Sequence, residues 1–390
     1  MCHFYVLHLH CKFAMKKTDL GFGMMRLPLT DPKDPTSVDL QKTSGLVDAF
    51  LNQGFSFFDT GLMYHGGTSE SVIRTCLVDR YPRERFQIAD KMHILYAKKP
   101  GDMDTVFQGQ MDRLGINYFD RYLLHSVEKN YFRQYEEIGA FDWIRKKKEQ
   151  GGVREIGFSF HDSADLLDEV LTRYPFFDFV QLQINYLDWE DPWIQSRKCY
   201  ETAVRHGIPV TVMETVKGGT LAQVPDDAAA MLREMDPSAS PASWAIRFAA
   251  SLPGVERVLS GMGSPAMICD NAGAIRHFVP LTAQETEKLL ETAEVIRSHI
   301  AVPCTGCAYC TGGCPRHICI PQYFSLYNAD MREVEQKRWT ANVFYYDQLT
   351  EKYGKASECI RCGQCEKACP QHLPIMETLE KVAAHFETED

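Results

Sequence analysis

Eight short apolar runs, each followed by a segment of helical period, fill the chain between Leu20 and Val279, and this alternation limits the possible folds more than any other feature. The runs read as strands: GFGMM near 21–25, FSFFD at 55–59, FQIADK at 86–91, RYLLH at 121–125, REIGFSF at 154–160, FVQLQI at 179–184, PVTVME at 209–214 and RVLSG at 257–261. Helices are expected between them at 38–53, 69–79, 102–114, 132–149, 163–173 and 192–206, as a pair at 226–235 and 241–251, and at 264–276. Gly54, Gly115, Gly151 and Gly207 stand just past four of these, where a helix stops most readily in left-handed backbone. So many strand and helix alternations over this length match an α/β fold of the (β/α)8 TIM-barrel type. An open doubly wound sheet is the main rival, but its first strand normally leads into a glycine fingerprint, and GFGMMRLP is not one.

With 390 residues, 45% of them hydrophobic, the chain can build one large core and a smaller one beside it. A net charge of -10 argues against a nucleic-acid partner and an anionic membrane surface. No apolar run approaches the length needed to span a bilayer. The opening MCHFYVLHLHCKFA has neither a basic leader nor a small-residue cleavage site, so no export signal is read and a cytoplasmic location is expected. Because Met15 begins MKKTDLGFGMM, residues 1–14 are expected to be a disordered extension, with the barrel over 15–280, a connecting helix over 281–302 and a separate domain over 303–390.

That last domain is defined by cysteine. CTGCAYCTGGCP runs from Cys304 to Pro315 and CIRCGQCEKACP from Cys359 to Pro370. In a chain with no export signal, such runs point to metal ligation rather than disulfides. Three cysteines two residues apart, a fourth three further on and a trailing proline form the bacterial ferredoxin spacing, in which the fourth cysteine of each run serves the other cluster. Two 4Fe-4S clusters follow, one on Cys304, Cys307, Cys310 and Cys369, the other on Cys359, Cys362, Cys365 and Cys314. Paired zinc sites are the alternative, since zinc also takes four thiolates. Cys319, Cys2, Cys11, Cys76, Cys199 and Cys269 fall outside the pattern and read as structural. YFSLYNADM, WTANVFYYDQLTEKY and IMETLEKVAAHF look helical, so the expected tail is a small all-helical, ferredoxin-like two-cluster domain.

Four titratable residues fall at or just beyond the ends of three successive strands: Asp59 and Tyr64 after the second, Lys91 after the third and His125 after the fourth. In a barrel those ends share one rim, the face where the loops carry chemistry. A phenol with an ordinary pKa near 10 is a poor acid at neutral pH. A neighbouring ammonium favours the phenolate, a carboxylate holds the ammonium, and a neutral imidazole can orient a carbonyl oxygen. Singly, each has a bland reading: Asp59 as a turn cap, Lys91 as a solvated strand end, His125 as an imidazole at the edge of the core. All four together are harder to dismiss.

In these motifs the chain resembles the aldo/keto reductase family over roughly residues 18–280: FDTGLMY matches the family's Asp and Tyr, ADKM its Lys and YLLH its His. The resemblance implies a nicotinamide cofactor, NADP(H) or NAD(H), laid across the rim, and hydride transfer between it and a small carbonyl or alcohol substrate. It makes Tyr64 the proton donor, tuned by Lys91 and Asp59, with His125 orienting the substrate. It also implies cofactor contacts at Gly23 and Met24, at Ser159 and Gln183 for the carboxamide, at Tyr186 for an approaching ring, at Lys217, Gly218, Gly219 and Leu221 for the pyrophosphate, and at Gly261, Gly263, Ser264, Asp270 and Asn271 for the adenosine end. Two departures are visible: Met267 stands where many members carry an Arg for the 2'-phosphate, and Thr215 replaces a common Pro. His161 reads as a loop imidazole. The added tail resembles an iron-sulfur branch of the family, and it takes the place of the loops that shape the substrate pocket elsewhere, so no particular substrate is implied. Ferredoxin or another one-electron carrier is the expected partner, although a hydride moves two electrons together and no flavin signature is present to split them. The alternative is a redox or nicotinamide sensor of low turnover with structural or regulatory clusters.

Overall fold

A computed structural model describes residues 18–31, 34–192, 194–331 and 341–387; the extension expected over residues 1–14 lies outside them. Two compact units divide the chain: the described residues up to Val216 with Ala242–Ala283, and Lys217–Pro241 with the described residues from Gln284 onward.

The first unit contains a closed barrel of eight parallel strands in chain order. These are β1 (Asp19–Gly23), β2 (Phe57–Asp59), β3 (Gln87–His93), β4 (Phe119–Val127), β5 (Val153–Phe160), β6 (Phe179–Gln183), β7 (Val210–Met213) and β8 (Val255–Ser260). The first strand begins at Asp19 and ends at Gly23, two residues earlier than expected at each end, because Met24–Arg26 form a single 3-10 turn. Phe57, Ala89, Leu123, Phe179 and Leu259 form one interior layer. Large and small residues alternate around it: a Cβ on Gly157 would meet the Phe179 ring at 2.6 Å, and one on Gly21 would meet Leu259 at 2.5 Å. Since side chains alternate along a strand, the positions two beyond that layer also face inward. They are Asp59, Lys91, His125 and Ser159, and Gln183 follows at the fourth position after Phe179.

Helices wrap this sheet: α1 (Leu40–Asn52), α2 (Ser69–Ile73), α3 (Pro100–Leu114), α4 (Lys129–Glu137), α5 (Ala140–Glu149), α6 (Ala164–Arg173) and α7 (Ser196–His206). The single helix expected over 132–149 is two, because Gly139 takes φ 72° and breaks the hydrogen-bond ladder between them. Gly115 and Gly207 end α3 and α7 in left-handed backbone, at φ 72° and 71°. The helix α8 (Asp226–Met235) belongs to the second unit, whereas α9 (Pro241–Ala250) and α10 (Pro265–Arg276) complete the first.

In the second unit α11 (Ala283–Ser298) is tied to α8 by His299 and Asp227, 2.9 Å apart. Four further helices follow: α12 (Ile320–Met331), α13 (Ala341–Thr350), α14 (Gln364–Lys367) and α15 (Ile375–Phe386). Their core joins Ile320, Tyr323, Phe324, Tyr346, Val382 and Phe386 to Cys310, Cys365 and Cys369. The tail is helical as its sequence implies, apart from an isolated bridge between Ile318 and Gly354. A Cβ on Gly354 would stand 2.2 Å from the Arg316 carbonyl oxygen, so only glycine admits that crossing.

Candidate active site

Lys91 has no exposed surface, and its ammonium donates to Asp59 Oδ1 at 2.6 Å and to the Thr60 carbonyl at 2.5 Å. An ammonium taken out of water at this cost needs such partners. Burial raises the Asp59 carboxyl, while Lys91, and then Arg257 and Arg121, pull it the other way. Above the pair lies Tyr64, whose ring centroid is 5.0 Å from Lys91 Nζ. The Tyr64 ring rests on the backbone of Gly61, where a Cβ would approach it to 3.3 Å. The loop carrying Tyr64 is pinned by His65, in left-handed backbone at φ 52°, with Nδ1 3.2 Å from the Pro35 carbonyl and Nε2 3.1 Å from that of Met24.

His125 meets the Tyr64 ring edge-on, with centroids 6.1 Å apart. Three residues that sequence reasoning passed over complete this side. Tyr135 places its hydroxyl 2.6 Å from the His125 carbonyl and accepts the Ile94 N–H at 3.0 Å, clamping β4 to the turn after β3. His93 packs its ring against His125 at 5.4 Å and against Tyr131 at 4.9 Å. His93 was legible in principle, because it lies two residues beyond Lys91 on the same face of β3. Tyr131 and Tyr135 sit on α4 and carried no such signal.

Both imidazoles are held neutral. Burial, and then His93, Lys91 and His161, push His125 well below the usual histidine range, while burial and Lys98 bring His93 to about 4. An unfolded chain takes up protons on these rings below about pH 6.5 and the fold does not, so their contribution is complete above that pH and is lost on acidification. Each ring weakens the fold by about 1.4 kcal/mol per pH unit below that point. The melting temperature of the barrel is therefore expected to fall between pH 7 and pH 5, and His93→Phe to reduce the slope. A slope unchanged in the variant would contradict a neutral buried ring at this position.

Around the rim, Ser159 accepts the Ser126 N–H at 2.8 Å, and Gln183 donates to Asp188 at 2.8 Å. Both are buried, as is Met24 after Gly23. The Gly23 and Gly261 backbones run side by side, so that a Cβ on Gly23 would stand 3.6 Å from the Gly261 nitrogen. Gly263 is exposed, and Ser264 caps α10 by accepting the Met267 N–H at 3.3 Å. Asp270 is half-buried one turn further on, and Asn271 donates to Ser260 at 2.9 Å. Tyr186 departs from the sequence reading. Its ring has no exposed surface and packs edge-on against Phe248, which turns it into the helix layer rather than toward a bound ring. Lys217, Gly218, Gly219 and Leu221 lie in the second unit. There the first three take φ 44°, 62° and 106°, Lys217 donates to Gln371 at 3.2 Å, and Leu221 is buried.

The cysteines gather in two groups that cross between the runs. Cys314, Cys359, Cys362 and Cys365 line one cavity of the second unit. Burial raises the Cys310 thiol, and Cys307, Cys369 and Cys304 are close enough to raise it further. Among the described residues no three His, Cys, Asp or Glu side chains meet closely enough to hold a single metal ion. Cys319 is buried in the core of the unit, which it shares with Cys310, Cys365 and Cys369, and burial raises its thiol.

Residues 19–294 match the model of the aldo/keto reductase family. The chain belongs to the aldo/keto reductase family. Residues 303–374 match a 4Fe-4S dicluster domain, so this aldo/keto reductase carries an iron-sulfur domain at its C-terminal end. An aldo-keto reductase of Mycobacterium sp. (strain KMS) is 29% identical over 144 residues, covering 36% of this chain and 45% of that protein. One from Mycolicibacterium paratuberculosis is 28% identical over 156 residues, 40% of this chain and 48% of that one. The chain thus spans less than half the length of these relatives. Among solved structures, an aldo-keto reductase from Klebsiella pneumoniae in complex with NADPH aligns with a TM-score of 0.54 at 20% identity, over 69% of this chain and 89% of that one. The holo form of an aldo-keto reductase from Bacillus halodurans aligns with a TM-score of 0.58 at 22% identity, over 70% and 91%. At such identities the likeness concerns the barrel fold. No helix among the described residues is long and apolar enough to cross a membrane.

Proposed function

We propose that this aldo/keto reductase is an NAD(P)H-dependent enzyme that interconverts a small carbonyl compound and its alcohol, and that its two 4Fe-4S clusters exchange electrons with a carrier such as ferredoxin. The observation that carries the reading is the buried Lys91–Asp59 pair directly beneath the Tyr64 ring. When bound, the nicotinamide supplies or accepts the hydride. The remaining work falls to side chains of the barrel. As negative charge collects on the carbonyl oxygen, the Tyr64 hydroxyl gives up its proton to that atom. Lys91 stabilises the phenolate left behind, and Asp59 keeps the ammonium in place. A neutral His125 can donate a hydrogen bond to the same oxygen without competing as an acid.

Ser159 and Gln183 are assigned to the nicotinamide carboxamide, which suits two buried polar side chains at the rim. Gly23, Met24, Gly261, Gly263, Ser264, Asp270 and Asn271 are assigned to the rest of the cofactor, with Lys217, Gly218, Gly219 and Leu221 for the phosphates. Consecutive left-handed residues suit that last role, because they turn backbone N–H groups to one side of a loop. NADP(H) is the favoured nicotinamide, in keeping with the NADPH held by the Klebsiella pneumoniae structure.

The clusters are assigned to Cys304, Cys307, Cys310 and Cys369, and to Cys359, Cys362, Cys365 and Cys314. Four thiols set around a cavity suit a four-iron cluster, and the crossing of the fourth cysteines accords with two-cluster ferredoxins. Anaerobically purified protein should contain about eight iron and eight sulfide per chain, oxidise NADPH only when a carbonyl compound is present, and show cluster signals in electron paramagnetic resonance after reduction. Zinc in place of iron would overturn the cluster assignment. Tight nicotinamide binding without turnover of any carbonyl or alcohol would favour a sensor instead.

A further inference from the structure

Lys217 makes a link that its assignment to the phosphates leaves unused. Its ammonium donates to Gln371 Oε1 at 3.2 Å across 154 positions of chain. Both side chains are buried, at 4% and 6% exposure, and both belong to the second unit. Gln371 stands two residues after Cys369, whose sulfur accepts the backbone N–H groups of Leu373, Gln371 and His372. One residue therefore holds the lysine of the phosphate loop with its side chain and a cluster sulfur with its backbone. Both ends are fixed, since Lys217 and His372 take left-handed backbone at φ 44° and 49°, which a residue with a side chain keeps only where its surroundings impose it. The acceptor on Gln371 is a neutral amide, so this bond leaves the charge of Lys217 uncancelled.

We propose that Gln371 is a positioning residue that couples the phosphate loop to the cluster on Cys304, Cys307, Cys310 and Cys369, so that binding of the dinucleotide makes this cluster harder to reduce and reduction of the cluster loosens the dinucleotide. The inference rests on the reading that gives the loop to the phosphates and these cysteines to a cluster. Hydrogen bonds and charges beside the sulfurs set the potential of such a cluster. A nearby cation favours the reduced form, which carries one more negative charge. An arriving pyrophosphate competes with Gln371 for the ammonium and brings negative charge of its own, and both changes oppose reduction. Linkage makes the effect reciprocal, so electrons delivered by the carrier promote exchange of the dinucleotide.

The probe is 2'-phospho-ADP-ribose, which keeps the pyrophosphate and lacks the ring that takes the hydride. Its affinity for the anaerobic wild-type holoenzyme should fall about tenfold when the clusters are reduced with dithionite. In its presence a redox titration followed by electron paramagnetic resonance should show the midpoint potential of the cluster lowered by about 59 mV, the same factor for a one-electron couple. Gln371→Leu and Gln371→Met should abolish most of both effects while the oxidised protein still binds the probe. Each effect is a difference read within one preparation, so a variant whose absolute potential has moved still reports it, and the wild-type comparison needs no variant. Equal affinity of the oxidised and reduced wild-type protein, with iron and probe both bound, overturns this inference alone. So does a shift that persists in full in both variants, because the charge then acts through space without Gln371. Absence of probe binding overturns the assignment of the phosphate loop, and absence of iron that of the cluster; this inference falls with either.

Discussion

Tyr64→Phe is expected to lower kcat for carbonyl reduction by about 10²–10⁴-fold, the usual yield of a positioned general acid. The substitution removes one oxygen and keeps the ring, so the packing of the loop on Gly61 and the edge contact with His125 survive. Binding of the nicotinamide should therefore change little, as should the iron content of the second unit. Both serve as controls, read by fluorescence titration and by iron analysis. KM for the carbonyl should move far less than kcat, because the hydroxyl is needed mainly when charge has developed on the substrate oxygen. Retention of more than a tenth of the wild-type kcat would mean that the proton comes from another group, and the role given to Lys91 and Asp59 would fall with it.

Lys91→Met should damage both activity and stability, and the two effects can be separated. Methionine fills much of the same space, yet it leaves the Asp59 carboxylate buried without its ammonium, a change that typically destabilises by about 3–5 kcal/mol. The double variant Asp59→Leu with Lys91→Met removes the stranded charge, so its barrel should regain most of the lost stability in thermal unfolding. Carbonyl reduction should stay low in both, because neither provides a cation beside the phenol. If the double variant recovered activity along with stability, the pair would be a structural ion pair with no part in the chemistry. If the single variant melted at the wild-type temperature, Asp59 would have to be protonated in the fold, which its 2.6 Å contact with Lys91 opposes.

The depth to which the sequence could be read differs from one element to the next. Asp59, Lys91 and His125 were legible because each closes an apolar run, Asp59 at the last residue of its strand and the other two within two residues of theirs, and period-two alternation carries that placement into the barrel. Ser159 and Gln183 share the same inward parity. Tyr186 lay beyond the end of its strand, where alternation no longer governs direction, and its ring went to Phe248 instead. Gly139 was hidden inside a good helical pattern, since one glycine lowers helix propensity without requiring a break. His93 has the inward parity of Lys91 and was legible to that extent, whereas its place beside His125 follows only from the pairing of β3 with β4.

What the order of residues determined by itself was local and periodic. It set the number of strands in the barrel, the face of each strand that turns inward, and the doubled cysteine spacing. Folding decided what lies beside what. Closure of the sheet set Lys91 against Asp59 across 32 positions of chain and His93 beside His125. Packing in the tail brought Cys314 to the later cysteines and Cys369 to the earlier ones, and Lys217–Pro241 joined the second unit although it lies between strands of the first. Backbone hydrogen bonding and side-chain periodicity act over a few residues, whereas a buried ion pair or a shared cavity is selected by the whole core that excludes water around it.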